Sequence, residues 1–218
     1  MAKKRKAKGD PDRIAAIIAG LEALYPDAHC ELNFASPFQL LIATILSAQS
    51  TDRMVNSVTS TLFARFPDAF ALAATEVAVV EKLVMRTGFF RQKAKNIVGA
   101  ARILVRDQNG EVPRTMDELT ALPGVARKTA NVVLGSAYRM EEGIAVDTHV
   151  TRLAGRLGLS RETAPVKIER DLMAIFPRHK WTQLGHQIIW HGRRICHARK
   201  PQCHACALAP HCPSAGKV

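Results

Sequence analysis

No run in this 218-residue chain is apolar for long enough to cross a bilayer, and the first ten residues, MAKKRKAKGD, are basic with no apolar core behind them. Neither a membrane span nor a secretory signal is therefore expected. Apolar and polar residues do not alternate with period two over any useful length, so strands are not expected. No segment repeats at a solenoid period. Cysteine is scarce: there are five, four of them between positions 196 and 212. Without a secretory signal, that clustering argues against a disulfide framework and for metal ligands. Acidic residues number 19 against 31 Lys and Arg, a net charge of +12. Such an excess favours a polyanionic partner through counterion release, although the same balance also serves plain solubility.

What is present reads as a soluble globular chain, 47% hydrophobic and 23% charged, able to bury one large core or two interleaved smaller ones. Met1–Asp10 is a charged tail, at most a loose electrostatic tether. Asp10-Pro11 opens a helix with Ile14, Ile17, Ile18, Leu21 and Leu24 at helical spacing, closed by Tyr25-Pro26. Ser36-Pro37 opens the next, with Phe38, Leu41, Ile42, Ile45 and Leu46 on one face. Asp52 is expected to cap a third, stopped near Phe66-Pro67. Arg91 to Val105 is amphipathic and ends at Asn109-Gly110. Thr115 and Glu118 fit a capping box before Leu119. Further helical patterns occupy roughly 126–138, 148–157, 165–176 and 181–194. The pattern is all-α, about ten short helices joined by Pro- and Gly-marked turns.

The segment Leu122-Pro123-Gly124-Val125-Ala126-Arg127-Lys128-Thr129-Ala130 places a tight Pro-Gly turn between two helices. A helix beginning there leaves backbone N–H groups pointing outward, which is a ready phosphate site. Gly124 tolerates positive φ and lets a phosphate approach the backbone. An ordinary helix–turn–helix connection explains the turn equally well on its own. Asp147 precedes the helical pattern starting at Thr148 and suits an N-cap. Cys196, Cys203, Cys206 and Cys212 follow a C-x6-C-x2-C-x5-C spacing, so four thiolates within seventeen residues can converge on one centre. Zinc and an iron–sulfur cluster both remain open on that count, and the single CxxC is less than zinc knuckles commonly use. Cys30 stands apart and suits a buried apolar position.

LPGVARKTANVVL followed by Ala145-Val146-Asp147-Thr148-His149-Val150, together with the cysteine spacing, resembles the endonuclease III family of helix-hairpin-helix DNA glycosylases over about Ile14 to Cys212. The resemblance implies a two-domain all-α fold. Residues 30–140 would form a six-helix barrel holding the hairpin, and residues 11–29 with 141–218 a discontinuous helical domain carrying a [4Fe–4S] cluster. It implies that Lys128 is the nucleophile and Asp147 the catalytic carboxylate, facing each other across a cleft. The implied reaction is excision of an oxidised pyrimidine from duplex DNA by attack on C1′, then strand nicking by β-elimination. The implied partner is double-stranded DNA with damaged bases or abasic sites, met by a monomer in the cytoplasm at the nucleoid.

Leu46-Ser47-Ala48-Gln49-Ser50-Thr51-Asp52 also resembles the family, where the glutamine fills the gap left by the flipped nucleotide; from spacing alone Gln49 is a polar loop residue. Phe89 stands where the family carries a second wedge, usually aliphatic, and this departure bears on opposite-base preference. Phe90 fits the core as readily as the DNA. Ala126 stands where the family has glycine, and its methyl either crowds a phosphate or starts the helix better. Leu122, Gly124, Val125, Arg127, Thr129 and His149 complete the implied DNA contacts. Arg199 and Lys200 in the first cysteine loop are expected on the phosphate backbone. The resemblance implies a structural cluster, since four cysteines leave no open position. Two other readings stand beside this one: an adenine-mismatch glycosylase, which usually lacks the hairpin lysine and carries a further C-terminal domain, and a non-catalytic DNA-binding or redox protein that retains the fold.

Overall fold

The computed structural model describes residues 10–218, so the basic tail expected over residues 1–10 lies, but for Asp10, outside the described residues. Among those residues the chain holds eleven α-helices, four short 3₁₀ turns and no strand, and no helix is long and apolar enough to cross a membrane. The all-α expectation is met. The helices are α1 (Pro11–Leu24), α2 (Pro37–Leu46), α3 (Asp52–Arg65), α4 (Ala69–Ala73), α5 (Val77–Val84), α6 (Phe90–Gln108), α7 (Met116–Thr120), α8 (Arg127–Tyr138), α9 (Thr148–Arg156), α10 (Pro165–Ile175) and α11 (Trp181–Arg194).

The start signals are side-chain caps. Asp10, Ser36, Thr51, Asp68, Thr115 and Asp147 each accept an N–H from the first turn of the helix they precede. Each such cap is worth about 1 kcal/mol. Thr51, not Asp52, caps α3: its hydroxyl accepts from Met54 N at 3.2 Å, and Asp52 sits inside the first turn, where its charge meets the positive end of the helix dipole. The Thr115 box closes in a modified form. Glu118 N donates to the Thr115 hydroxyl at 3.3 Å, and that hydroxyl donates to the Glu118 carboxylate. At the far end of α6, Asn109 (φ 49°) and Gly110 (φ 83°) take left-handed conformations and end the helix as expected.

The chain divides into two compact units. The middle unit, Cys30–Glu142, contains α2 to α8. Its core gathers Leu41, Ile42, Leu62, Leu72, Ile97, Leu104, Leu119 and Leu134, all essentially inaccessible. Helix α2 runs through this core and packs on α3, α6 and α8. Beyond the expected face, Leu40, Ala43 and Thr44 are also buried, as befits a helix enclosed on all sides. Thr44 is accommodated because its hydroxyl donates to the Leu40 carbonyl at 2.7 Å. Truncating a Leu or Ile here to Ala costs about 2–5 kcal/mol.

Among the described residues, the split unit joins those up to His29 with Gly143–Val218. Helix α11 packs on both α9 and α1, around Ile17, Leu21, Ile144, Leu153, Leu172, Leu184 and Ile188. Cys196, Cys206 and Cys212 lie against the edge of this core. Cys30 is half-buried against the core of the middle unit.

Candidate functional site

The hairpin is built in the middle unit. Helix α7 ends at Thr120, Val125 N donates to the Leu122 carbonyl at 3.1 Å, and Gly124 turns the chain at φ 78°. Gly124 is needed twice over. That φ strains any L side chain, and a Cβ there would sit 2.7 Å from the Asn96 amide nitrogen of α6. Pro123 packs near Gly99 one turn further along α6, so α6 is the floor of the turn. Leu122 and Val125 are buried beneath it.

Ala126 is the N-cap of α8, extended at φ −97°, ψ 169°, with no side chain to cap. Its methyl therefore does not help the helix start, because at this position alanine is inferior even to glycine. The first helical bond runs from Ala130 N to the Ala126 carbonyl at 3.0 Å, so the chain enters α8 with the kind of helix N-terminus that suits a ligand's phosphate oxygens. Arg127 and Lys128 occupy the first two helical positions; Lys128 is exposed and Thr129 buried.

Two other candidates in the same unit hold strained backbone. Gln49, exposed in the loop after α2, has φ 52°, and Phe89, the N-cap of α6, has φ 46°. A left-handed non-glycine residue costs about 1–2 kcal/mol, and such positions cluster where a side chain is being aimed. Phe89 is 69% exposed, whereas Phe90 packs on the core. Met85, 54% exposed in the 3₁₀ turn just before, adds a second apolar side chain to the same loop. No spacing rule in the sequence marked it.

The split unit carries Asp147 and His149. Asp147 is the N-cap of α9, and its Oδ1 accepts from Val150 N at 2.8 Å. His149 Nδ1 lies 3.1 Å from an Arg152 Nη. Guanidinium only donates, so Nδ1 accepts and the ring's proton sits on Nε2. Burial, then the nearby Arg152 and Arg193 cations, hold the His149 imidazolium below its usual range, partly offset by the Asp147 carboxylate.

Cys196, Cys203, Cys206 and Cys212 all line one apolar pocket with Leu153, Leu157 and Ile195. An Arg156 Nη donates to Cys196 Sγ at 3.4 Å and to the His197 carbonyl at 2.6 Å, and its other Nη donates to the Ala198 carbonyl at 3.0 Å. Arg152 donates to the Cys196 carbonyl. His191 Nε2 lies 3.4 Å from Cys206 Sγ, and Nδ1 lies 3.0 Å from the Tyr25 hydroxyl. Burial lowers the His191 pKa to about 4. Burial also pushes the Cys206 thiol up and the other three cysteines raise it further, against a lowering hydrogen bond from the Leu208 backbone. Among the described residues no three His, Cys, Asp or Glu side chains converge closely enough to hold a single ion. Soft sulfur donors around one apolar pocket suit zinc or an iron–sulfur cluster alike. The loop between the first two cysteines is exposed at Arg199 and Lys200, with Lys200 left-handed at φ 51°.

Sequence reasoning missed Arg152, Arg156, Tyr25 and His191. The two arginines stand four apart on α9, a same-face spacing that could have drawn attention. Tyr25 and His191 are 166 positions apart and gave no local signal.

A family profile described as "HhH-GPD superfamily base excision DNA repair protein" matches residues 42–178. The chain is 54% identical over 211 residues to Endonuclease III of Synechocystis sp., covering 97% of this chain and 96% of the relative. Among solved structures, a non-covalent Endonuclease III–DNA complex superposes with a TM-score of 0.91 at 41% identity, covering 95% of this chain and 97% of that one. A trapped Endonuclease III–DNA covalent intermediate, the estranged-adenine complex, gives 0.90 at 41% identity, covering 95% and 98%.

Proposed function

The chain belongs to the HhH-GPD superfamily of base excision DNA repair proteins and, within it, to the endonuclease III family, and we propose that Lys128 is its nucleophile and Asp147 the carboxylate that serves it. It is a bifunctional DNA glycosylase and AP lyase that acts on DNA. The observation that carries the residue assignment is the setting of Lys128. It is exposed in the first turn of α8, directly after the Gly124 turn and beside amides suited to a phosphate. An amine held where the backbone is gripped is well placed to meet a sugar turned out of the duplex.

The chemistry follows from these groups. Lys128, once it has lost its proton, attacks C1′ through its Nζ. The C1′–N bond to the damaged base breaks and the base leaves with the bonding pair, taking up a proton. The lysine nitrogen's lone pair then opens the ring: the C1′–O4′ bond breaks, O4′ takes up a proton, and C1′ and the lysine are left joined as a Schiff base. Loss of a C2′ proton then expels the 3′ phosphate as the C3′–O bond breaks, and water releases the lysine. Asp147 can accept the ammonium proton and stabilise positive charge growing on the sugar while its Oδ1 remains tied to Val150 N. A covalent intermediate trapped in a relative with the same fold supports a nucleophilic side chain.

Gln49 and Phe89 enter the duplex gap, and Leu122, Gly124, Val125, Ala126, Arg127, Thr129, His149, Arg199 and Lys200 hold the backbone. Cys196, Cys203, Cys206 and Cys212 hold a [4Fe–4S] cluster that fixes the fold of the Arg199–Lys200 loop; bound there, it supplies structural cross-linking. The substrate is duplex DNA bearing an oxidised pyrimidine or an abasic site, and the enzyme acts as a monomer in the cytoplasm, at the nucleoid. A panel of lesions in labelled duplexes tests this. Release of oxidised pyrimidines with strand nicking is expected; release of adenine from mismatches without nicking would overturn it.

A further inference from the structure

Lys93 has no part in the chemistry above, yet it is only 4% exposed. It lies in the first turn of α6, and its Nζ donates to the Thr87 carbonyl at 2.7 Å. Among the described residues no carboxylate pairs with it. Burying an ammonium against one carbonyl is a costly way to fill space, and methionine would fill it more cheaply. What the contact does accomplish is local. Thr87 is itself buried, and its hydroxyl donates to the Val84 carbonyl at 2.8 Å, so the end of the 3₁₀ turn is held from both sides. The two residues beyond this fixed carbonyl are Gly88, at φ 69° and ψ 156°, and Phe89, left-handed and 69% exposed. The conformation of Gly88 is open essentially only to glycine, although a Cβ there would meet nothing within 4 Å. Backbone geometry, not lack of room, therefore demands the glycine. The loop is anchored at Thr87 by Lys93 Nζ and at Phe89 by the bond from Lys93 N to its carbonyl at 3.1 Å.

We infer that Lys93 is a positioning residue for the Phe89 wedge, bracing both ends of the Thr87–Phe89 turn so that the ring stands out from the fold before DNA arrives. This rests on the reading of Phe89 as a wedge. Burial lowers the Lys93 pKa, the consequence of holding an ammonium away from water. A pre-set wedge avoids the ordering cost of arranging a strained turn on the DNA, so its loss is felt only where a base pair must be opened.

The test compares Lys93→Met, Phe89→Ala and the double variant of the full chain. The assay is single-turnover nicking of an abasic site, in a duplex and in single-stranded DNA. Lys93→Met is expected to slow nicking of the duplex about tenfold, the scale of one hydrogen bond to a charged group, and to leave single-stranded nicking within about twofold. In the Phe89→Ala background the Lys93→Met effect should vanish, because the two changes remove one function. A purely structural lysine would slow both substrates alike and add to Phe89→Ala. If Lys93→Met does not fold, Lys93→Gln, too short to reach Thr87, takes its place with the same readouts. If Phe89→Ala leaves the duplex rate unchanged, the wedge reading itself falls. If Phe89→Ala slows the duplex and the Lys93 variants do not, the wedge stands and the role of Lys93 is refuted.

Discussion

The helix cap that Asp147 forms and the catalytic role proposed for it can be separated by a pair of substitutions. Its Oδ1 caps α9 through Val150 N at 2.8 Å, and its charge sits at the positive end of that helix. Asp147→Asn keeps an oxygen that can accept the same N–H, since asparagine caps about as well as aspartate, and gives up only the charge term of roughly 0.3–1 kcal/mol. Asp147→Ala loses the cap as well, a further loss of about 1 kcal/mol. For a chain of this size each kcal/mol moves Tm by about 2–4 °C, so the alanine variant should melt a few degrees below the asparagine variant. Activity should not follow that order. Both variants lack a carboxylate, so both should slow single-turnover base release by roughly 100- to 10,000-fold, the usual range for a lost acid–base group. Thermal melts and single-turnover release from a lesion-bearing duplex supply the two numbers. Wild-type release by Asp147→Asn would reduce Asp147 to a cap. Equal melting of the two variants would refute the cap instead.

Replacing Arg199 and Lys200 with Ala should flatten the plot of log affinity against log salt by about 2, one phosphate contact for each side chain; an unchanged slope would remove both from the interface. His149 should make the fold acid-sensitive. Its folded pKa lies below 6.5, so in the window from 6.5 down to that lower value the unfolded chain takes up a proton that the fold refuses. The stability it contributes is therefore present above 6.5 and lost as pH falls through that window. His149→Gln should show a shallower fall of Tm between about pH 7 and 5, and parallel curves would contradict this. The purified protein should be yellow-brown, absorb near about 400 nm and lose its split-unit fold when the iron is chelated; a colourless, zinc-loaded protein would refute the cluster.

Much of the fold was legible because its punctuation is local. Asp10-Pro11 and Ser36-Pro37 opened α1 and α2 where expected, Asn109-Gly110 ended α6 within three residues of the expected stop, and α8 to α11 fell within two residues of their patterns. Helices α4 and α5 were not anticipated, since five and eight residues give too little period to register. The capping of α3 was assigned one residue late because Thr51 and Asp52 are both good caps, and only the hydroxyl's geometry decides between them. At the site, resemblance to the family's motifs pointed to side chains expected to meet a ligand directly, such as Lys128 and Gln49. It could not reveal side chains whose partner is a distant carbonyl or ring. Arg156 reaches the Cys196–Ala198 segment forty or more residues on, Tyr25 meets His191, and Lys93 reads as one more basic residue of an amphipathic helix until its ammonium is seen to be buried.

In the proposed mechanism the Lys128 amine becomes bonded to the sugar. Borohydride trapping on duplex DNA carrying an abasic site tests it most directly. Wild-type protein should form a protein–DNA adduct that survives denaturation, and peptide mapping should find the cross-link on Lys128. Lys128→Ala should form none while still binding the duplex. An adduct of undiminished yield from Lys128→Ala, or none from the wild-type protein, would contradict the lysine mechanism.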